Sequence, residues 1–119
     1  MKGLREANTR TYGDFKFRRL AVTLRYRRKI VGGLVGQIYL GWLFIELLWV
    51  EDDHRAQGFG SKIMRAAEKE ARRLGIRNAY VDTFSFQAPT FYHKLGYREF
   101  GRLKNFPRGH HRSWMTKAL

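Results

Sequence analysis

Between Ile30 and Val50 the chain is almost unbroken hydrocarbon: Gln37 and Glu46 are the only strongly polar side chains in 21 residues. By length alone such a run could cross a bilayer as one helix. It also contains Gly32, Gly33, Gly36 and Gly41, and it is rich in β-branched and aromatic residues. Gly41-Trp42 falls where a hairpin turn would sit, and Glu46 at membrane depth would need a partner. The run is therefore predicted as two adjacent strands, Ile30 to Leu40 and Trp42 to Val50. Their polarity is so low that both faces of the sheet are expected to be covered. A chain of 119 residues has room for one domain around a modest core, so a single domain over residues 1–119 is expected.

The flanking segments fit elements around that pair. Met1 to Tyr12 is polar and suits a short helix ending near Gly13. Phe17 to Tyr26 alternates in part and suits a strand, followed by an exposed turn at Arg27-Arg28-Lys29. From Ser61 to Leu74, Ile63, Met64, Ala67, Ala71 and Leu74 recur at helical spacing. Lys62, Arg65, Glu68, Lys69, Arg72 and Arg73 are expected on the other face, and Gly75 as the cap. Ile76 to Phe84 reads as a strand. Pro89 opens a short helix with Phe91, Tyr92 and Leu95 inward and Gly96 at its end. Tyr97 to Leu103 and Arg112 to Leu119 are two further strands, joined by a loop carrying His110 and His111. This order predicts an α/β fold, in detail an α+β mixed sheet with helices packed on it.

Composition narrows the chemistry. There is no cysteine, which rules out disulfides, thiolate metal ligands and a cysteine nucleophile. It fits a reducing cytoplasm, the expected location. Histidines and carboxylates show no ligand-like spacing, so no metal site is expected. Met1 to Asn8 lacks the apolar stretch of a secretory signal. The net charge of +14 attracts polyanions, nucleic acid among them, although a solvated like-charged surface accounts for more of it.

One segment points to a ligand. Leu47-Leu48-Trp49-Val50 runs into the acidic loop Glu51-Asp52-Asp53-His54. Arg55-Ala56-Gln57-Gly58-Phe59-Gly60-Ser61 then opens the strong helix. Glycines at 58 and 60 allow close approach of a ligand, and the free amides and dipole of a helix start favour an anion. Arg55 can add a charge-assisted contact. Alone, such a turn is more readily read as a tight turn that merely needs small residues. No Gly-Lys-Ser/Thr follows, so it is not a nucleotide P-loop. With Arg55 in place of the first glycine it is not the dinucleotide fingerprint.

The stretch from Leu48 to Met64 resembles the acetyl-CoA motif of the GNAT superfamily of N-acetyltransferases: a strand, a short loop, then Arg/Gln-x-x-Gly-x-Gly/Ala and a helix. Ala88-Pro89-Thr90-Phe91-Tyr92-His93-Lys94-Leu95-Gly96-Tyr97 resembles that superfamily's later A-x-x-F-Y-x-K-L-G-F/Y segment. The two occur in the right order, and the resemblance covers roughly Ile30 to Leu119. The N-terminus is short for such a domain, and a partner subunit or a rearranged edge is expected to cover what it leaves bare. A homodimer follows as an expectation.

The resemblance implies acetyl-CoA as co-substrate. Its pantetheine would pair with the main chain of Leu48 and Val50, and the Val50 N–H would face the thioester carbonyl. Its pyrophosphate would sit on the amides of Gln57, Gly58, Phe59, Gly60 and Ser61, with Arg55 beside them. Ser85 stands where many members carry an asparagine that reaches the pantetheine. Tyr92 matches the tyrosine proposed in that superfamily to protonate the leaving thiolate, the alternative being a core aromatic on a short helix. Glu46 shares a strand with Leu48 and Val50, and simple alternation puts it on their face. Among Phe44, Leu48 and Trp49 a carboxylate would be a stronger base, the alternative being a structural ion pair with an arginine. Asp82 and Thr83 end the next strand and could face the same site. Trp42, Trp49, Phe84, Phe86 and Phe106 could line an acceptor pocket or simply fill the core. The acceptor would be an amine on a small molecule or a protein. Two other readings remain: a basic nucleic-acid-binding module, and an acyl-CoA-binding protein of the same fold without catalysis.

Overall fold

The computed structural model describes residues 17–119. Its strands are β1 (Arg18–Tyr26), β2 (Lys29–Tyr39), β3 (Trp42–Val50), β4 (Asn78–Phe84), β5 (Arg98–Lys104) and β6 (His111–Ala118). Its helices are α1 (Phe59–Arg73) and α2 (Pro89–Lys94), with a 3-10 turn at Asp52–His54 before α1. The helix expected over Met1 to Tyr12 lies outside the described residues. The strands form one mixed sheet in the order β1-β2-β3-β4-β6-β5; β3 and β4 are parallel, and every other neighbour pair is antiparallel.

The apolar run resolves into β2 and β3. Tyr39 pairs with Trp42 across the two-residue turn Leu40-Gly41, whose φ angles are +49° and +86°. Tyr26 pairs with Lys29 across Arg27-Arg28, at +51° and +69°. Both are two-residue turns with positive φ, which suit the right-handed twist of a hairpin. Among the described residues no helix is long and apolar enough to cross a membrane.

The core lies on one face of the sheet. Leu20, Leu34, Ile38, Leu43, Ile45, Ala79, Val81 and Met115 point to it, and α1 lays Ile63, Met64, Ala67 and Ala71 against them. Phe91, Tyr92 and Leu95 of the α2 segment pack on the same cluster. Alternation sends Arg19, Gln37, Phe44, Tyr80, Asp82 and Arg112 to the far face. Coverage of both faces is therefore not what the described residues show: Trp42, Leu47, Trp49 and Phe100 remain 38–64% exposed. Large apolar residues can serve an uncovered face as well as a buried one, so low polarity alone does not count layers.

Glu68 departs from the expected polar face of α1. It is 2% exposed. Tyr97 donates its hydroxyl proton to Glu68 Oε2 at 2.8 Å, and Lys117 Nζ lies 2.9 Å from Oε1. The small residues Ala67 and Ala71 bring the helix close to the sheet, so a long side chain at 68 reaches inward. Tyr97 is buried, and that burial, followed by the adjacent Glu68 charge, pushes its hydroxyl far above the ordinary tyrosine range. A group that holds its proton more tightly when folded contributes fully below its unfolded value near 10. That contribution is lost as pH climbs towards the folded value. The melting temperature is therefore expected to stay level from about pH 7 to pH 9 and to fall above about pH 10. In Tyr97→Phe the alkaline fall should be shallower by calorimetry; an unchanged slope would remove Tyr97 as its source.

Candidate active site

β3 and β4 are paired only from Trp42↔Asn78 to Ile45↔Val81. Beyond that point they part. The cause lies on β3: Val35 pairs with Leu47 but Gly36 with Ile45, so Glu46 is an extra residue. Such a bulge bends its strand and resets the alternation. Before it Leu43 and Ile45 face the core; after it Leu48 and Val50 do. A cleft of about 920 Å³ opens between the separated strands, floored by β3 and β4 and rimmed by the 54–61 loop and α2.

The main chain of β3 is turned into this cleft. Glu51 N–H donates to Val31 O at 2.8 Å, which makes Val31/Glu51 a bonded antiparallel pair. Bonded and unbonded pairs alternate, so Gly32/Val50 and Leu34/Leu48 are unbonded. The N–H and C=O groups of Leu48 and Val50 therefore point away from β2, to the side where β4 has departed. Arg55 reaches the Val50 carbonyl there, with Nε 3.3 Å from the oxygen.

The glycines of the turn have local reasons as well. Gly58 precedes α1 with φ +76°, the left-handed region that disfavours other residues. A Cβ on Gly60 would stand 3.2 Å from the Phe91 ring, so a side chain there would push on α2. Ala56 shares the left-handed conformation at φ +64° without being glycine. The first turn of α1 carries no acidic residue, which leaves its positive end uncompensated by a neighbouring carboxylate. The Arg55 guanidinium pairs with Asp52 at 3.0 Å, and both side chains are largely exposed. An exposed pair of this kind is weak and can yield to a stronger anion. His54 rims the same end of the cleft, its ring packed against Tyr26 and Phe59, and its Nδ1 is buried with no hydrogen-bond partner among the described residues.

Ionisable side chains line the cleft where the strands divide. Glu46 and Asp82 are the first residues beyond the last β3–β4 pair, one on each limb. Both line the cleft. Asp82 is held by Arg112, whose Nε and Nη2 lie 2.8 and 2.7 Å from Oδ1. Arg112 is itself packed against the rings of Phe84, Phe106 and Trp114 at 4.9–5.2 Å. Tyr92 lines the cleft beside them. Burial, and then the nearby Asp82 charge, raises the Tyr92 hydroxyl above the ordinary tyrosine range, so it keeps its proton.

Glu46 does not lie where simple alternation along β3 would put it. The bulge places it on the far face, where Gln37 Nε2 donates to Oε2 at 3.2 Å and Arg19 lies 4.0 Å away. It is not on the face of Leu48 and Val50, and at 40% side-chain exposure it is not enclosed by apolar neighbours. It still opens onto the cleft.

Of the expected cofactor contacts, Leu48, Val50, Arg55, Gly58, Phe59, Gly60 and Ser61 line the cleft; Gln57 and Ser85 do not. The Ser85 hydroxyl accepts from the His111 N–H and sits 3.1 Å from His110 Nδ1, so it ties the β4–α2 loop to β6. Trp49, Phe84 and Phe86 line the cleft, whereas Trp42 faces a separate shallow hollow with Tyr80, Phe100 and Thr116. Phe106 supports Phe84 from behind at 5.7 Å. Gln87, which ends the Phe84-Ser85-Phe86-Gln87 stretch expected on the acceptor side, also lines the cleft, as do His54 and Lys94, one from each of the two motif stretches.

Residues 17–99, well over half of the chain, match the family model described as "Acetyltransferase (GNAT) domain". Blasticidin-S acetyltransferase of Streptomyces morookaense is 38% identical over 94 residues, covering 78% of this chain and 69% of that protein. The crystal structure of an acetyltransferase from Bacillus cereus superposes with a TM-score of 0.91 at 34% identity, covering 99% of this chain and 87% of that one. An aminoglycoside 6′-N-acetyltransferase solved in complex with coenzyme A shares the fold, at TM-score 0.78 and 22% identity, over 84% of this chain and 72% of its own. The chain belongs to the GNAT acetyltransferase family and is an acyltransferase.

Proposed function

We propose that the cleft binds acetyl-CoA between β3 and β4 and passes its acetyl group directly to an amine arriving from the far face. The observation that carries this reading is the parting of two parallel strands with the Leu48 and Val50 main chain turned into the gap. A pantetheine arm is an extended amide chain and can complete that unfilled ladder. Its pyrophosphate would then lie at the start of α1, against the amides of Gly58 to Ser61, with Arg55 released from Asp52 towards it.

In the transfer, the amine nitrogen attacks the thioester carbonyl and a C–N bond forms. The Val50 N–H steadies the carbonyl oxygen as charge collects there. A cationic amine first loses one proton to free its lone pair, and the nitrogen loses a second once the C–N bond has formed; Glu46 accepts each in turn, directly or through water, and passes it to solvent. The C–S bond then breaks, and the Tyr92 hydroxyl supplies the proton to the departing sulfur. Asp82 supports this division of labour: its charge favours the protonated form of Tyr92 and draws a cationic amine to the gap. The blasticidin-S acetyltransferase relative is in keeping with a small-molecule amine. The reading extends to a cytoplasmic homodimer in which a second copy covers exposed apolar residues such as Trp42 and Phe100.

Acetyl-CoA at millimolar concentration should raise the melting temperature, and an amine panel should release free thiol from it. Absence of stabilisation would sink the acetyl-CoA reading. Stabilisation without thiol release from any amine would favour a non-catalytic acyl-CoA-binding protein. Light scattering over micromolar concentrations tests the dimer; a constant monomer mass would refute it.

A further inference from the structure

We infer that the acceptor is a primary amine carried a short distance from a flat conjugated ring, and that Phe84 and Phe86 receive that ring. The inference rests on the acetyl-transfer reading and deepens it. Phe84 closes β4 on the face of Asp82, as its contact with Arg112 shows, and Phe86 follows in the loop. The two rings stack, 5.3 Å apart at 20°. Phe84 is backed by Phe106 and Arg112, so the stack is anchored on one side. Phe86 also meets the His110 ring edge to face at 5.1 Å and still stays 57% exposed over the cleft, so part of its ring surface remains available there. Stacked aromatic surface selects another flat ring by geometry.

The spacing sets the ligand. Asp82 and Phe84 are two residues apart on one face of a strand, about 7 Å. An ammonium between Asp82 and Glu46 thus places the ring of its own molecule about four bonds further along, over Phe84 and Phe86. An aminosugar or a linear polyamine would satisfy the carboxylates but not the stack.

The test uses calorimetric titration of the CoA-loaded protein with two amines matched in size, 3-phenylpropylamine and 3-cyclohexylpropylamine. The saturated ring is the more water-averse, so plain hydrophobic binding would prefer it. Stacking on Phe86 predicts the opposite order, with the aromatic amine bound about five- to tenfold more tightly. Phe86→Leu keeps apolar bulk and removes the ring; it should abolish that preference while acetyl-CoA still stabilises the variant fully. Phe86→Ala should do the same. Equal binding of the two amines, preference for the cyclohexyl compound, no binding of either, or a preference that survives Phe86→Leu overturns the inference while the acetyl-CoA site stands. Failure of acetyl-CoA to stabilise the native protein overturns the transfer reading, and this inference with it.

Discussion

Glu68→Ala is expected to cost about 3 kcal/mol of folding free energy, a fall of about 12 °C in melting temperature for a domain of this size. The reason is what the substitution leaves behind. Glu68 is buried and accepts from Tyr97 and Lys117, on the chain that leaves α2 and on β6. Without the carboxylate, the Lys117 ammonium at 23% side-chain exposure loses its counter-charge, and the Tyr97 hydroxyl loses its acceptor. Removing one member of a buried pair is far more damaging than never having had the pair. Glu68→Gln should fall between, because an amide oxygen can still accept from Tyr97. Combining Glu68→Leu with Lys117→Met should recover much of the loss, since apolar side chains of similar size remove both charges together. Urea unfolding measures all three. A cost below about 1 kcal/mol for Glu68→Ala would show that water enters and solvates the pair. The triad also bears on the site. Tyr97 N–H donates to Tyr92 O at 3.0 Å, so the residue that grips α1 also fixes the end of the helix that carries Tyr92.

Glu68 shows where sequence reading stops. An apolar stripe at helical spacing identifies α1 from Ile63, Met64, Ala67 and Ala71, and the strands follow from alternation and turn residues in the same way. Those signals are local. A glutamate beside the stripe is assigned to water unless its partners are known, and Tyr97 and Lys117 lie 29 and 49 residues away. The bulge at Glu46 was hidden for a related reason. From Leu43 to Val50 nearly every residue is apolar, so no polar alternation exists for a one-residue slip to interrupt. The register against β2 reveals it, and that register is a property of the pair. The cleft itself was legible in outline, because the turn at 55–61 and the Phe91-Tyr92 segment each carry a recognisable pattern. Its far-face side was less so: Asp82, Arg112 and Phe106 meet only through the β4–β6 pairing and the loop before β6.

Tyr92→Phe should separate chemistry from binding more cleanly than any other change in the cleft. Only one oxygen is removed. The ring still packs against Phe91 and Tyr97, at 5.1 and 6.0 Å, so the fold has little reason to respond. Acetyl-CoA should bind within about twofold of the native protein, because the contacts assigned to its phosphates and pantetheine are main-chain groups and Arg55. The chemical step should slow by about a hundredfold or more, the usual worth of a positioned proton donor. Thiols ordinarily ionise near pH 8.5 in water. In a cleft where water is displaced and Asp82 stands nearby, a bare thiolate is harder to release, and the donor matters more. Burial and Asp82 also keep Tyr92 protonated throughout the neutral range, so its loss should reduce turnover by a constant factor from about pH 7 to pH 9. Single-turnover measurements with saturating acetyl-CoA and amine read that factor directly. A kcat within about threefold of native would assign the proton to water and leave Tyr92 a packing residue.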